Sequence, residues 1–249
     1  MRSCFRKKIH AAAIAALVLL LSSCLLSVPP FEEKKWREQV ASADPALLYA
    51  PHRADGTYFN PWMPMRKDFL DFLRWQLSAK TVYPPAEEND IPRIAPDLRE
   101  KILSSSGDFI AWIGHATYLI RIGGEYWITD PVFSERALLP KRKTPPSLSL
   151  DAFAALPGRK NVILSHNHYD HLDADSLKRL PADTRIYVPL GLRALMNDLG
   201  KQDVVEMDWW QSVSCGDRCR MVCLPAQHWS RRIGQGMNAT LWASFLLET

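Results

Sequence analysis

Apolar residues follow three different patterns along the chain. Residues 11–21, AAAIAALVLLL, contain no polar side chain. From residue 31 to about 105 the apolar positions return at helical steps, in stretches broken by prolines. Phe69, Phe72, Leu73 and Leu77 recur every three or four residues, which predicts an amphipathic helix within RKDFLDFLRWQLSAK, 66–80. FEEKKWREQVA, 31–41, predicts another. NPWMP and VYPPAEENDIPRIAP predict extended linkers, because proline fixes its own φ and disfavours helix at the preceding residue.

From Asp108 onward the pattern becomes one of strands. DFIAWIGH and TYLIRI are apolar or alternating, and Gly123-Gly124 between LIRI and YWITD is a hairpin signal. NVILS reads as a short buried strand and ADSLKRL as a helix. RIYVPLG predicts a strand, and LRALMNDLG a helix ended by Gly200. RCRMVCLPAQH and LWASFLLE predict two more strands. Strands alternating with helices, with polar motifs at strand ends, indicate a layered α/β sandwich. Residues 106–249 are read as this domain, 25–105 as a helical and proline-rich extension, and 1–24 as a separate leader.

The leader has Arg2, Arg6, Lys7 and Lys8 before its apolar run, the layout of a secretory signal. Leu21-Ser22-Ser23-Cys24 resembles a bacterial lipobox, so Cys24 is expected to be lipidated; an uncleaved N-terminal anchor helix is the alternative. Either places the body on a membrane outside the cytoplasm. Leu25, rather than aspartate, after the cysteine favours an outer-membrane lipoprotein facing the periplasm. A net charge of +4, with no block of like charges, gives no support to nucleic-acid binding. Trp36, Trp62, Trp75, Trp209 and Trp210 are amphipathic aromatics suited to a lipid interface, with core packing preferred for Trp209 and Trp210. Cys215 and Cys219 flank a short turn and would pair in an oxidising compartment. The preferred reading takes them, with Cys223, as small buried hydrophobes.

The candidate chemistry is concentrated in SHNHYDHLD, residues 165–173. His166 and His168 project to one side of extended backbone. Asp170 and His171 follow on the turn into the ADSLKRL helix. One loop thus offers four donors to two different points. Neutral imidazole and carboxylate are zinc's usual nitrogen and oxygen ligands, and two adjacent divalent ions can clamp a phosphoryl or acyl oxygen. The alternative is a solvated polar loop. His228, in PAQHWS, is the best distal donor, and Asp130, at the end of YWITD, is a candidate support for a ligand histidine.

SHNHYDHLD resembles the metal motif of the metallo-β-lactamase superfamily. With FNPW (59–62), WIGHATYLI (112–120), TDPVFSERA (129–137), VPLGL (188–192), EMDWW (206–210), PAQHWSRR (225–232) and LWASF (241–245), the chain more closely resembles one branch. That branch is the N-acylphosphatidylethanolamine-hydrolysing phospholipase D family and its RomA-like bacterial relatives. The resemblance implies an αββα sandwich and two Zn2+ ions. His166, His168 and His228 would hold one; Asp170 and His171 would hold the other, with Asp170 also catalytic. Asp130 would be a buried support, and His115 would lie nearby without being a ligand. The implied reaction is attack of a metal-bound hydroxide on a phosphodiester, with a phospholipid as substrate. The alternatives are a lactonase or β-lactamase of the same fold, or a non-catalytic metal-binding lipoprotein.

The family pattern continues with a bridging aspartate in a GDT-like turn and a final histidine. No aspartate follows Asp217 here and no histidine follows His228. The expectation is therefore a C-terminally truncated domain, lacking the second sheet and its helices, with one zinc retained more firmly than the other and impaired activity.

Overall fold

The computed structural model describes residues 34, 38, 52–60, 69–79, 97–216 and 219–249. The chain forms two units, one of Met1–Ala43 with Pro64–Pro92 and one of Asp44–Met63 with Arg93–Thr249. In the first, α1 (Phe69–Leu77) exposes Leu70, Trp75 and Leu77. Lys34 and Glu38 are helical, exposed and paired at 3.9 Å. The leader, the lipobox, Trp36, Trp62 and the rest of the expected 31–41 helix lie outside the described residues. No helix among the described residues is long and apolar enough to cross a membrane.

The second unit opens with a hairpin, β1 (Arg53–Ala54) and β2 (Thr57–Tyr58). Its Asp55-Gly56 turn has positive φ at both residues, +50° and +76°, which suits Asp-Gly. After α2 (Leu98–Ser104) come β3 (Phe109–Gly114), β4 (Thr117–Ile122) and β5 (Glu125–Thr129), an antiparallel meander. Next are α3 (Leu150–Ala154), β6 (Lys160–Ile163), α4 (Ala174–Arg179), β7 (Arg185–Pro189), α5 (Arg193–Asp198) and β8 (Val204–Met207). β5 to β8 run parallel, completing a six-stranded sheet ordered β3-β4-β5-β6-β7-β8.

The two faces of this sheet are set by alternation along each strand. Tyr126 and Ile128, Val162, Ile186 and Val188, and Val204 face one core, to which α2–α5 contribute Ile102, Phe153, Leu177 and Met196. Trp127, Ile163, Tyr187 and Met207, the intervening positions, face a second core. A one-residue slip would exchange the two sets, so both buried faces fix the register.

The second core is closed by another sheet, β9 (Ser212–Gly216), β10 (Cys219–Leu224) and β11 (Ser244–Glu248), antiparallel in the order β11-β10-β9. It contributes Cys215, Met221 and Cys223 to that core. This corrects the expectation that the second sheet is absent: the C-terminal strands pair with one another and cover Trp127 and Tyr187. On β3 and β4 of the large sheet Ile110, Trp112 and Tyr118 are exposed, as is Leu246 on β11. The unit is thus an α/β fold of helix, sheet and sheet layers, in the manner of an αββα sandwich.

Three smaller expectations change. Cys215 and Cys219 form a disulfide across the β9–β10 turn, so the buried-hydrophobe reading holds only for Cys223, a free and buried thiol. Burial pushes the Cys223 thiol up to about 12. Trp209 is buried and donates its indole N–H to the Trp242 carbonyl at 2.7 Å, but Trp210 is 40% exposed. β10 ends at Leu224, so His228 sits in the following loop and not at a strand terminus.

Two motifs serve the fold. Glu206 on β8 accepts from the backbone N–H groups of Gly191, Leu192 and Arg193 at 2.7–3.0 Å, fixing the start of α5. Gly191 has φ +90°, and a Cβ there would lie 3.2 Å from the Ala239 carbonyl oxygen. Asp173 accepts from Ser134 N and Ser176 Oγ, tying the loop after β5 to the start of α4.

Candidate metal centre

The site lies beyond the carboxyl ends of β5 and β6, adjacent parallel strands, where side chains from several loops converge. β6 ends at Ile163, and the chain runs through Leu164 and Ser165 into His166. His166 and Asn167 are buried; His168, Asp170 and His171 are less so. Backbone bonds from His171 N and Leu172 N to the His168 carbonyl close the loop into a turn before α4.

Three imidazoles meet at one point. His166 Nε2 is 2.9 Å from His168 Nδ1 and 3.0 Å from His228 Nε2, and His228 Nε2 is 3.3 Å from His168 Nδ1. Tetrahedral positions around an ion at the usual zinc–nitrogen distance of ~2.0–2.1 Å lie roughly 3.3 Å apart, so this triangle has the size of one face of such a site. His168 Nε2 is buried without a partner, leaving Nδ1 as the nitrogen that meets the other rings. Burial, followed by the His171 charge, drives His166 far below the ordinary imidazole range. Burial and then His228 lower His168 to about 4. Burial, then His171, lowers His228. All three are neutral at neutral pH and have lone pairs to give.

A second donor group adjoins the first. Asp170 Oδ2 is 3.3 Å from His115 Nε2 and 3.8 Å from His171 Nε2. His171 and His166 have ring centroids 4.2 Å apart, so the two groups are neighbours. Burial opposes the His171 imidazolium, but its hydrogen bond to Asp130, and the charges of Asp130 and Asp170, raise its pKa above the ordinary value.

One carboxylate orients both groups. Asp130 stands just after β5, is 6% exposed, and has φ +36°. Its Oδ2 accepts from His171 Nδ1 at 2.8 Å and from Ser165 Oγ at 2.7 Å, and its Oδ1 accepts from Ser165 N at 2.7 Å. Ser165 Oγ is 2.8 Å from His166 Nδ1. Once the hydroxyl proton goes to Asp130, the hydroxyl oxygen accepts from His166 Nδ1–H. This network assigns the Nε2 lone pairs of both His166 and His171 to the donor positions.

Every site residue named from the sequence is found at this centre. His115, expected near the metals but not as a ligand, has its Nε2 within the second donor group. It sits in the β3–β4 turn with φ +50°. Sequence reasoning missed the residues that hold the loops together. Asn167 lies between His166 and His168. It accepts from Arg231 N at 2.9 Å and donates to Gln235 Oε1 at 3.0 Å. Arg232 donates to the Asn167 and Leu172 carbonyls at 2.9 and 2.8 Å and lies 4.0 Å from the Tyr169 ring centre. Ser165 begins the motif, yet nothing in its type distinguishes a relay from a strand-end serine.

Comparison with known proteins gives a consistent result. Residues 126–249 match the beta-lactamase superfamily domain. An uncharacterized protein of Mycobacterium tuberculosis is 36% identical over 210 residues, 79% of this chain and 54% of its own length. N-acyl-phosphatidylethanolamine-hydrolyzing phospholipase D 1 of Caenorhabditis elegans is 39% identical over 158 residues, 57% of this chain and 44% of that protein. The chain spans about half the length of these relatives. Among solved structures, CmlA, a diiron beta-hydroxylase from Streptomyces venezuelae, matches at 26% identity with a TM-score of 0.43, over 58% of this chain and 28% of that one. With the histidine–aspartate loop at its strand ends and this domain match, the chain belongs to the metallo-β-lactamase superfamily.

Proposed function

We propose that the chain is a zinc-dependent phosphodiester hydrolase of the phospholipase D type, acting on a phospholipid. The observation that carries this is the pair of adjacent donor groups, His166–His168–His228 and His115–Asp170–His171, oriented by the single carboxylate of Asp130. The similarity to N-acyl-phosphatidylethanolamine-hydrolyzing phospholipases D supports the choice of substrate class.

The chain's residues divide the work. His166, His168 and His228 are kept neutral by burial and by neighbouring imidazoles, His171 among them, which suits them to hold a cation. Asp130 fixes the His171 tautomer and, through Ser165, that of His166. Asp170, about half exposed, is the carboxylate open to the reacting side and is placed to take the proton of an attacking water. Zinc held by these groups supplies Lewis-acid stabilisation of charge on a phosphoryl oxygen.

The proposed location is a membrane surface outside the cytoplasm, reached through a lipidated Cys24 or an N-terminal anchor helix. The Cys215–Cys219 disulfide supports an oxidising compartment. The test is a substrate panel on the purified chain, stripped with chelator and reloaded with zinc. Release of phosphatidic acid from N-acylphosphatidylethanolamine, and turnover of bis(p-nitrophenyl) phosphate, are expected only after reloading. Turnover confined to penicillins or lactones would place the chain with other hydrolases of this fold.

A further inference from the structure

The third histidine of the first donor group is held differently from the other two. His166 and His168 share a loop that continues directly from β6. His228 lies in a loop four residues beyond the end of β10. Its place depends on whatever grips its main chain. That grip comes from Asn60, a residue 168 positions earlier and outside the matched domain.

Asn60 Nδ2 donates to the His228 carbonyl at 2.8 Å, and Asn60 Oδ1 accepts from the His228 backbone N–H at 3.3 Å. One amide therefore satisfies both main-chain polar groups of a single residue. Its Oδ1 also accepts from the Trp242 indole at 3.2 Å, and the same indole N–H lies 2.7 Å from the Ala226 carbonyl oxygen, two residues before His228. Asn60 is 3% exposed, so water does not replace these bonds readily. It is itself anchored through its strand. Tyr58 N donates to the Asn238 carbonyl at 2.8 Å, and Asn238 N and Oδ1 bond Ser230 O and N, two residues after His228. The segment 52–60 thus straps the His228 loop on both sides.

We infer that Asn60 is a positioning residue of the metal centre, setting the donor direction of His228 and thereby the affinity and geometry of the three-histidine position. Side chains that hold a ligand in place typically change metal affinity ~10–100-fold when removed. Only an amide fits this role: it must donate to a carbonyl and accept from an N–H across one planar group. Aspartate has the same shape but sets a carboxylate oxygen against the His228 carbonyl.

This inference rests on the metal-centre reading above, and the experiment separates the two. Zinc and cobalt affinities are measured by chelator competition on the full chain for wild type, N60D, H228A and T57A. T57A removes an exposed hairpin bond to the Ala54 carbonyl and serves as a control for the strap's own stability. The expected result is a 10–100-fold weaker first position in N60D, with altered visible bands of bound cobalt, while T57A matches wild type. Should N60D fail to fold by circular dichroism, N60A removes the amide without adding charge and is read the same way. Wild-type affinity and an unchanged cobalt spectrum in the folded Asn60 variant, with binding lost in H228A, would overturn the role of Asn60. Equal binding by wild type and H228A would instead remove the metal-centre reading on which it stands.

Discussion

Replacing Asp130 with asparagine tests the orientation of both donor groups with one atom changed. Asp130 oxygens accept three bonds, from Ser165 N, Ser165 Oγ and His171 Nδ1, at 2.7, 2.7 and 2.8 Å. The asparagine amide has one oxygen, so whichever way it turns its NH2 faces a donor. Bonds to a buried charge are worth about 1.5–3 kcal/mol each, and a stranded buried donor costs about 1–3 kcal/mol. The three bonds share one network and do not add independently, so the expected loss is about 3–5 kcal/mol. For a chain of this size that is a fall in Tm of roughly 10 °C.

The loss should depend on pH. The Asp130 hydrogen bond raises the His171 pKa against the opposing effect of burial. A raised folded-state pKa contributes stability that is fully present below the unfolded value of about 6.5, and is lost as pH rises through the folded value. D130N removes that contribution, so the gap between wild type and variant is widest below pH 6.5 and narrows above it. Urea melts of the metal-free chains from pH 5.5 to 8.5 give the gap, and the His171 ring-proton titration gives its cause. D130N within 0.5 kcal/mol of wild type across the range (roughly the scatter of neutral surface changes), with an unmoved His171 titration, would refute the reasoning.

Other expectations follow from the same packing. Cys215→Ser opens a disulfide with a sequence separation of 4, and chain entropy alone puts the cost near 2 kcal/mol, measurable as a lower urea midpoint than wild type under non-reducing conditions. Gly191→Ala forces a side chain onto φ +90° against the Ala239 carbonyl and should cost about 1–3 kcal/mol; an unchanged midpoint would contradict the close approach. His166, His168 and His228 have lowered pKa values, and a group of this kind contributes stability above its unfolded pKa that is lost as pH falls. The metal-free chain should therefore weaken from about pH 6.5 toward 4, the value of His168, and the H168A variant should weaken less steeply.

Much of the centre is contained in a short stretch of sequence. His166, His168, Asp170 and His171 fall within six residues, and an apolar strand leading straight into them indicates both their backbone and their place at the carboxyl end of a strand. Asp130 was accessible for the same reason, as a carboxylate ending a neighbouring apolar strand. The approach of the His115 ring to Asp170 is not legible in the sequence, because a φ of +50° in a tight turn decides where that ring points and no residue pattern encodes it. Asn60 stands within FNPW, yet its partner is 168 residues away and meets it only in the folded chain. The second sheet was misread for a different reason. Two of its strands, β10 and β11, are legible as RCRMVCLPAQH and LWASFLLE, but β9 buries one residue in five without alternation, and the pairing of all three into one sheet is set only in the folded chain. Trp210 follows Trp209 directly, so adjacent backbone positions put one indole in the core and the other toward solvent.

The central claim concerns where metal binds, and anomalous diffraction tests it most directly. Crystals of the purified chain grown with zinc, measured on either side of the zinc absorption edge, should show a strong peak among His166, His168 and His228. A neighbouring peak is expected beside His115, Asp170 and His171. Zinc found only at other surface positions, with the three imidazoles at 166, 168 and 228 still in contact with one another, would contradict the assignment.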